Sequence, residues 1–233
     1  MAQNMNGLSE GLQMYDELLA VHTIIRRGAV LTAAAMRRLA AGEGVDVKAL
    51  VRATRWQVEF VHHHHASEDE LFWPVLRRLF PDAVTALDEL TVEHEALDAG
   101  LKTLGAAVDT IAAGPARRSA HGSDPDAAVR DAAREGAQAA ARLGEVLLKH
   151  LDSEEPVLRE LFPQVPDAEL LRLRAAIVAG APRSGPDLVM GLLHDPVPAP
   201  GAERLMANFP APVRWIRPLL LKRYRTQKSA LGQ

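Results

Sequence analysis

Six side chains in this sequence carry nitrogen and oxygen donors at spacings a metal ion can use: His22, His64, Glu68, His94, His150 and Glu154. His64 and Glu68 stand four residues apart, and so do His150 and Glu154. Four residues turn a helix through about 400°, so each histidine and its glutamate lie a turn apart on one face. His94 interrupts an apolar stripe of Leu87, Leu90, Leu97, Leu101, Leu104, Val108 and Ile111, whose steps of three and four mark one buried helix face. Burying an unpaired polar group costs about 1–3 kcal/mol, so the core must offer that imidazole a partner. His22 is placed in the same way among Tyr15, Leu18, Leu19, Ile25, Ala29 and Val30.

Four imidazoles and two carboxylates are a ligand set for a pair of transition-metal ions, each taking two histidines, with each carboxylate able to bridge. The sequence contains no cysteine, which removes disulfides, thiolate zinc sites, iron–sulfur clusters and cysteine nucleophiles together. Nitrogen and oxygen donors without thiolate suit iron or manganese, whereas zinc more often settles for four ligands, and iron is preferred.

The elements that must carry these donors are helices. A first pattern runs from about Ser9 to Ala41 and is closed by Gly42 and Gly44. Asp46 caps a second that continues to about Phe80, with Val61, His64, Glu68, Leu71, Val75 and Leu79 inward and a bend expected at Pro74. Pro81-Asp82 ends it, and a third runs from about Ala83 to Ala113. After the polar stretch Gly114–Ser123, Asp124-Pro125 starts a fourth that reaches about Phe162, with Leu143, Val146, Leu147, His150, Glu154, Val157 and Leu161 inward. The second and fourth patterns share a near-repeat, Pro74-Val75-Leu76-Arg77-Arg78-Leu79-Phe80-Pro81 against Pro156-Val157-Leu158-Arg159-Glu160-Leu161-Phe162-Pro163. No strand alternation is evident, so the expected fold is all-α: an up-down-up-down antiparallel four-helix bundle over residues 1–165. At a rise of about 1.5 Å per residue, the four histidines then meet at one level to within roughly 8 Å.

Residues 166–233 form an expected C-terminal extension: a short helix to about Ala179, a Pro/Gly-rich connection over Gly180–Gly201, and a basic, partly apolar tail. The tail reads as a structural wrap on the bundle; an anionic membrane surface or a partner protein is the alternative use of its Trp215, Ile216, Leu219, Leu220 and Leu221. Of the 233 residues, 48% are apolar, enough for one substantial core with an appendage, and the formal net charge of −3 gives no sign of a nucleic-acid binder. Met1–Gly7 lacks the regions of a secretory signal and no run approaches the roughly 20 apolar residues of a membrane span, which points to a cytoplasmic protein.

The residues resemble the hemerythrin-like, or HHE cation-binding, domains. The resemblance rests on His22, on His64-His65-Ala66-Ser67-Glu68-Asp69-Glu70-Leu71-Phe72-Trp73-Pro74, on Glu93-His94 and on His150 to Glu154, and it covers about Ser9 to Pro163. It implies a non-haem di-iron centre with oxo or hydroxo and carboxylate bridges, with His22, His64, His94 and His150 as terminal ligands and Glu68 and Glu154 as bridges. Such a centre binds dioxygen, peroxide or nitric oxide at an open position. Oxygen-carrying members place a second histidine one turn after the first in the third helix, where this chain has Asp98. That departure turns the expectation from oxygen carriage to peroxide disproportionation or nitric oxide consumption, with sensing through the packing of the basic tail, or metal storage, as alternatives.

Around the site, Tyr15 shares the face of His22 and is a further candidate to ligate a metal or to hydrogen-bond its ligands. The run His62 to His65 points in four directions, so not all of it ligates. His65 is a further candidate, and the register His65 with Asp69, aligned with Phe72 and Leu76, is the alternative to His64 with Glu68. Glu59 and His62 form a lone Glu-x-x-His, whereas ferritin-like di-iron bundles need two such motifs. His121 and His194 fall in loop-like segments and are expected to be exposed.

Overall fold

The computed structural model describes residues 9–114 and 125–233; the readings of the N-terminal segment, of the stretch 115–124 and of His121 lie outside them. Among the described residues the chain is all helical, without a strand. The long helices are α1 (Glu10–Ala40), α2 (Val47–Ser67), α4 (Val84–Ala113) and α5 (Pro125–Leu161), and a π-helical turn, Glu68–Phe72, joins α2 to the short α3 (Trp73–Leu79). Local chemistry sets their ends. The Ser9 hydroxyl accepts from Leu12 N–H at the start of α1, and the Asp46 carboxylate accepts from Ala49 N–H, 2.9 Å away, at the start of α2. α1 closes with Gly42 at φ +76°, where Glu43 N–H reaches Arg38 C=O and Gly42 N–H reaches Leu39 C=O, a Schellman arrangement that a residue with a Cβ adopts only under strain.

α5 packs against α1 and α4, and α2 packs against α4 and α1. The apolar interior falls into two clusters. One holds Met14, Leu18, Phe72, Trp73, Leu76, Leu87, Leu90, Leu158 and Phe162. The other holds Ile24, Ile25, Leu31, Leu50, Val61, Leu97, Leu104, Val108, Leu147 and Leu151. Between the two groups, on all four chain segments, stand the buried polar residues His22, His65, Glu68, His94, His150 and Glu154.

Several sequence expectations shift here. Val30 and Val146, expected inward, are exposed, because the neighbouring Ile24, Gly28 and Leu31 of α1 and Leu143 and Leu147 of α5 take the buried positions. α1 is long and apolar enough to span a membrane by composition, contrary to the expectation that no segment approaches one; 56% of its most apolar window is nevertheless buried within the protein, and it carries the fully buried His22.

The Pro/Gly-rich connection is not a wandering loop. Pro186 opens a helix, α7 (Pro186–His194), whose Leu188, Met190, Leu192 and Leu193 are buried, and His194 is only partly exposed, with Nδ1 2.9 Å from Met190 C=O. α6 (Asp167–Gly180), α7 and α8 (Ala202–Ala207) all pack on α1. α9 (Ala211–Trp215) leads to α10 (Arg217–Ala230), which lies against α7 through buried Leu220 and Tyr224. This packing allows no side chain at Gly191, where a Cβ would stand 1.9 Å from the Tyr224 ring. Gly191→Ala is expected to destabilise the fold by roughly 1–3 kcal/mol, read as a drop in Tm on thermal denaturation; an unchanged Tm would contradict the α7–α10 contact.

Candidate metal centre

The second helix delivers three donors from a stretch of five residues. Taking His64 as zero, His65 lies at about 100° and Glu68 at about 40° around the axis, so the carboxylate projects between the two rings. All three are withdrawn from solvent, with His64 the most accessible at 10% of its side chain.

Just past Glu68 the helix widens. Trp73 N–H bonds to Glu68 C=O, five residues back, in a π turn that precedes Pro74. Proline has no N–H to give, and its ring crowds the carbonyl four residues before it, so the wider turn relieves both problems. The bend expected at Pro74 therefore takes the form of a local change in register. Below the turn Phe72, Trp73 and Leu76 are buried, while the expected Leu71 and Leu79 are only partly so. Members of both registers read as alternatives in the sequence are therefore buried: His64, His65 and Glu68 enter the centre together, Val75 is buried beside Phe72 and Leu76 beyond it, and Asp69 stays half-exposed as the partner of His94.

The donors converge from four helices. Glu68 Oε1 lies 3.2 Å from His64 Nε2, and Glu68 Oε2 lies 3.6 Å from His94 Nε2. Glu154 Oε2 lies 3.4 Å from His150 Nε2 and 3.6 Å from His22 Nε2. Two groups of four result, His22, His64, Glu68 and Glu154 in one and His65, Glu68, His94 and His150 in the other, each with donor atoms within 4.8 Å of one another. All six donors singled out in the sequence are thus brought together. His65 joins them as a full member, stacked at 4.5 Å on His94. Asp98 faces outward, 3.2 Å from His62, while the second helix places the His65 imidazole beside His94.

Three carboxylates fix the rings from outside in a role the sequence reading does not give them, since it weighs Asp69 only with His65 and names Glu93 only beside His94. Glu155 Oε1 lies 2.9 Å from His22 Nδ1, Asp69 Oδ1 lies 3.0 Å from His94 Nδ1, and Glu93 Oε2 lies 3.0 Å from His150 Nδ1. A carboxylate only accepts, so each Nδ1 carries a proton, and in the neutral ring each Nε2 is the acceptor, turned inward. Their signal was present as adjacency, since Glu93, Glu155 and Asp69 each directly neighbour a donor in sequence. Tyr15 stays outside both groups. It lines a surface cleft of about 350 Å³ with Asp152, Glu155, Pro156 and Arg159, and burial followed by the charge of Glu155 raises its phenol pKa. Glu59 pairs with Ser184 and takes no part.

The charge balance inside the layer calls for cations. His94 and His150 point their Nε2 atoms at each other across 3.2 Å, two lone pairs in the neutral rings that only a proton or a metal ion relieves, and although burial pushes the His150 pKa down, Glu154 and Glu93 outweigh it and raise it. His22 Nε2, His64 Nε2, His65 Nε2 and both oxygens of Glu68 and of Glu154 are buried without a hydrogen-bond partner, each an unfavourable state in a dry interior. Burial, then the surrounding histidines, holds His64 and His65 well below the ordinary imidazole range, so both rings are neutral donors at pH 7. Burial and the negative charge of Glu154 push Glu68 well above the usual carboxylate range, because two carboxylates this close resist ionising together. For Glu154 burial also pushes upward, but His22 and His150 outweigh it and hold that carboxyl down. Neutral imidazoles and carboxylates with no other partner are the donor set that metal ions require.

The Hemerythrin HHE cation binding domain family matches residues 13–165, more than half of the chain. The chain belongs to the hemerythrin family. No curated protein and no solved structure matches it. Membership gives the cluster its meaning: the His/Glu layer of this hemerythrin domain can bind metal, and its residues fit one.

The pKa directions give this hemerythrin domain a pH dependence. Metal must displace the proton that Glu68 holds and the one held at His150, where burial pushes the imidazole pKa down but the carboxylates of Glu154 and Glu93 outweigh it and raise it. Affinity measured by calorimetric titration is therefore expected to fall from pH 7.5 to pH 5.5, with proton release on binding. Loading at about a thousandfold over Kd adds about 4.1 kcal/mol of stability, so chelation should lower Tm by roughly 8–16 °C. A Tm indifferent to chelation, or affinity independent of pH, would contradict the assignment.

Proposed function

We propose that this hemerythrin domain holds two iron ions and acts on small oxygen or nitrogen species, disproportionating peroxide or consuming nitric oxide. His22 and His64 would hold one ion and His65, His94 and His150 the other, with Glu68 and Glu154 between them. The observation that carries this reading is that Glu68 belongs to both groups, one oxygen toward His64 and the other toward His94. Seven nitrogen and oxygen side chains without a thiolate favour iron over zinc. Two irons in contact would supply the redox equivalents that imidazole and carboxylate lack.

The protein's own share is to position and to exclude. Glu155, Asp69 and Glu93 orient three of the five rings, and the two apolar clusters keep bulk water from both sides of the layer. An antiparallel up-down-up-down arrangement is supported by the order of the clusters along the chain. α1 and α4 meet the Met14 and Leu87 cluster first and the Ile24 and Leu97 cluster second, whereas α2–α3 and α5 meet them in reverse.

A sensing role has one observation in its favour. α1 carries His22 and also the links to the extension, Arg27 Nη1 to Leu192 C=O at 2.7 Å and Asp16 to Arg204 at 2.9 Å, so a shift at the centre can reach α7 and α8. Stopped-flow turnover with peroxide and nitric oxide separates the readings. Catalytic turnover by protein with about two irons per chain, falling to about one iron with most activity lost in His65→Ala, supports the proposal. Oxidation-dependent protease sensitivity near residue 200 without turnover would favour sensing, and slow stoichiometric exchange of metal without turnover would favour storage. His65→Ala with both irons and full turnover would remove His65 from the centre.

A further inference from the structure

The outer surface of α9 and α10 is built unlike the rest of the molecule. Trp215 is 78% exposed, Leu219 53% and Ile216 46%, the densest group of exposed large apolar side chains among the described residues. Trp215 ends α9 and Leu219 stands in the first turn of α10, whose outward face carries on through Lys222, Arg223 and Thr226, all exposed. From residue 205 to residue 233 the sequence has six Lys or Arg and no Asp or Glu, in a chain whose formal net charge is −3. Lys228 pairs with Asp195, and Arg217 approaches Glu203 at 3.8 Å. Arg214, Lys222, Arg223 and Arg225 have no ion-pair partner among the described residues. Arg223 also lines a cleft of about 470 Å³ beside Lys48, Asp46 and the Arg52–Asp187 ion pair, so the basic face ends there against a charge-balanced surface.

The inner face of α10 is by contrast firmly anchored. Leu220 and Tyr224 are buried against α7, the Tyr224 hydroxyl donates to Asp195, and Gln227 Nε2 donates to Ala49 C=O at 2.7 Å. The expected structural wrap is thus half correct: one face of the helix wraps, and the other presents an apolar tip with a basic flank, held rigid in advance of any partner.

We propose that this face docks on an anionic phospholipid surface, with Trp215, Ile216 and Leu219 entering the headgroup and acyl boundary and Arg214, Lys222, Arg223 and Arg225 contacting lipid phosphates. The chemistry of each part matches one layer of such a surface. Indole prefers the boundary between apolar and wet environments, and long cationic side chains lay their stems along apolar surface while their heads stay with the phosphates. Charge decides against a second copy of this chain, since a symmetric contact through this patch sets the same cations opposite one another. It also predicts salt sensitivity, because exposed charges are screened within about 8 Å at physiological ionic strength.

The reporter is already in the protein, since Trp56 and Trp73 are 5% and 0% exposed and Trp215 is the remaining tryptophan. The full chain is mixed with vesicles of phosphatidylcholine alone or with phosphatidylserine, followed by tryptophan emission and co-sedimentation. The expected result is a blue shift and co-sedimentation with the anionic vesicles only, reversed by high salt. Trp215→Ser with Leu219→Ser, and separately Lys222→Ser with Arg223→Ser, should each weaken binding at least about tenfold while Tm is unchanged, these side chains being exposed. No binding to anionic vesicles at low salt overturns the proposal, as does equal binding to neutral vesicles. Self-association through the patch on sedimentation without lipid, abolished by Trp215→Ser, overturns it in favour of a second copy.

Discussion

Everything in this protein is arranged around a polar layer that an apolar bundle has no reason to contain. Five imidazoles and two carboxylates meet in the interior with their free nitrogens and oxygens turned toward one another. Without a cation or a shared proton, lone pairs face lone pairs across 3.2 Å between His94 and His150, and burial with the negative charge of Glu154 suppresses the ionisation of Glu68. Metal ions resolve both conflicts together, because they replace repulsion between donors with attraction of all of them to a common centre. A buried charge cluster of this kind is weak evidence for stability and much better evidence for a ligand.

The other features follow from holding that layer in place. The two apolar clusters flank it, so the packing free energy of the bundle fixes the level at which the donors meet. The π turn lets one helix serve two registers, turning His64, His65 and Glu68 inward above it and Phe72, Trp73 and Leu76 inward below it. Glu155, Asp69 and Glu93 place the protons of His22, His94 and His150 on the outward nitrogens, which removes a tautomeric choice that would otherwise compete with metal.

Much of this was legible in the residues, and the failures have identifiable causes. His22, His64, His94 and His150 stood out because each breaks an apolar stripe of helical period, and the helices themselves end within a few residues of where Ser9, Gly42, Asp46 and Pro81 placed them. His65 was harder to place, because ideal helical periodicity forces a choice between adjacent residues; two donor groups that share Glu68 make no such choice. The partners of the imidazole Nδ1 atoms were missed for a different reason, since Glu93, Asp69 and Glu155 sit on outward positions and reach the rings of other helices. The helix α7 was hidden by proline and glycine at its ends, where Pro186 and Gly185 in fact start it. Val30 and Val146 were misplaced because α1 and α5 bury other faces than a simple stripe assigns.

The central claim is that these seven side chains enclose two metal ions close together. X-ray absorption at the iron edge of the protein as isolated tests it most directly, since it reports both the donor atoms and any second metal nearby. The account predicts a shell of nitrogen and oxygen only, with imidazole scattering and a short iron–iron vector. An isolated iron with no metal neighbour, or no metal bound at all, would contradict it.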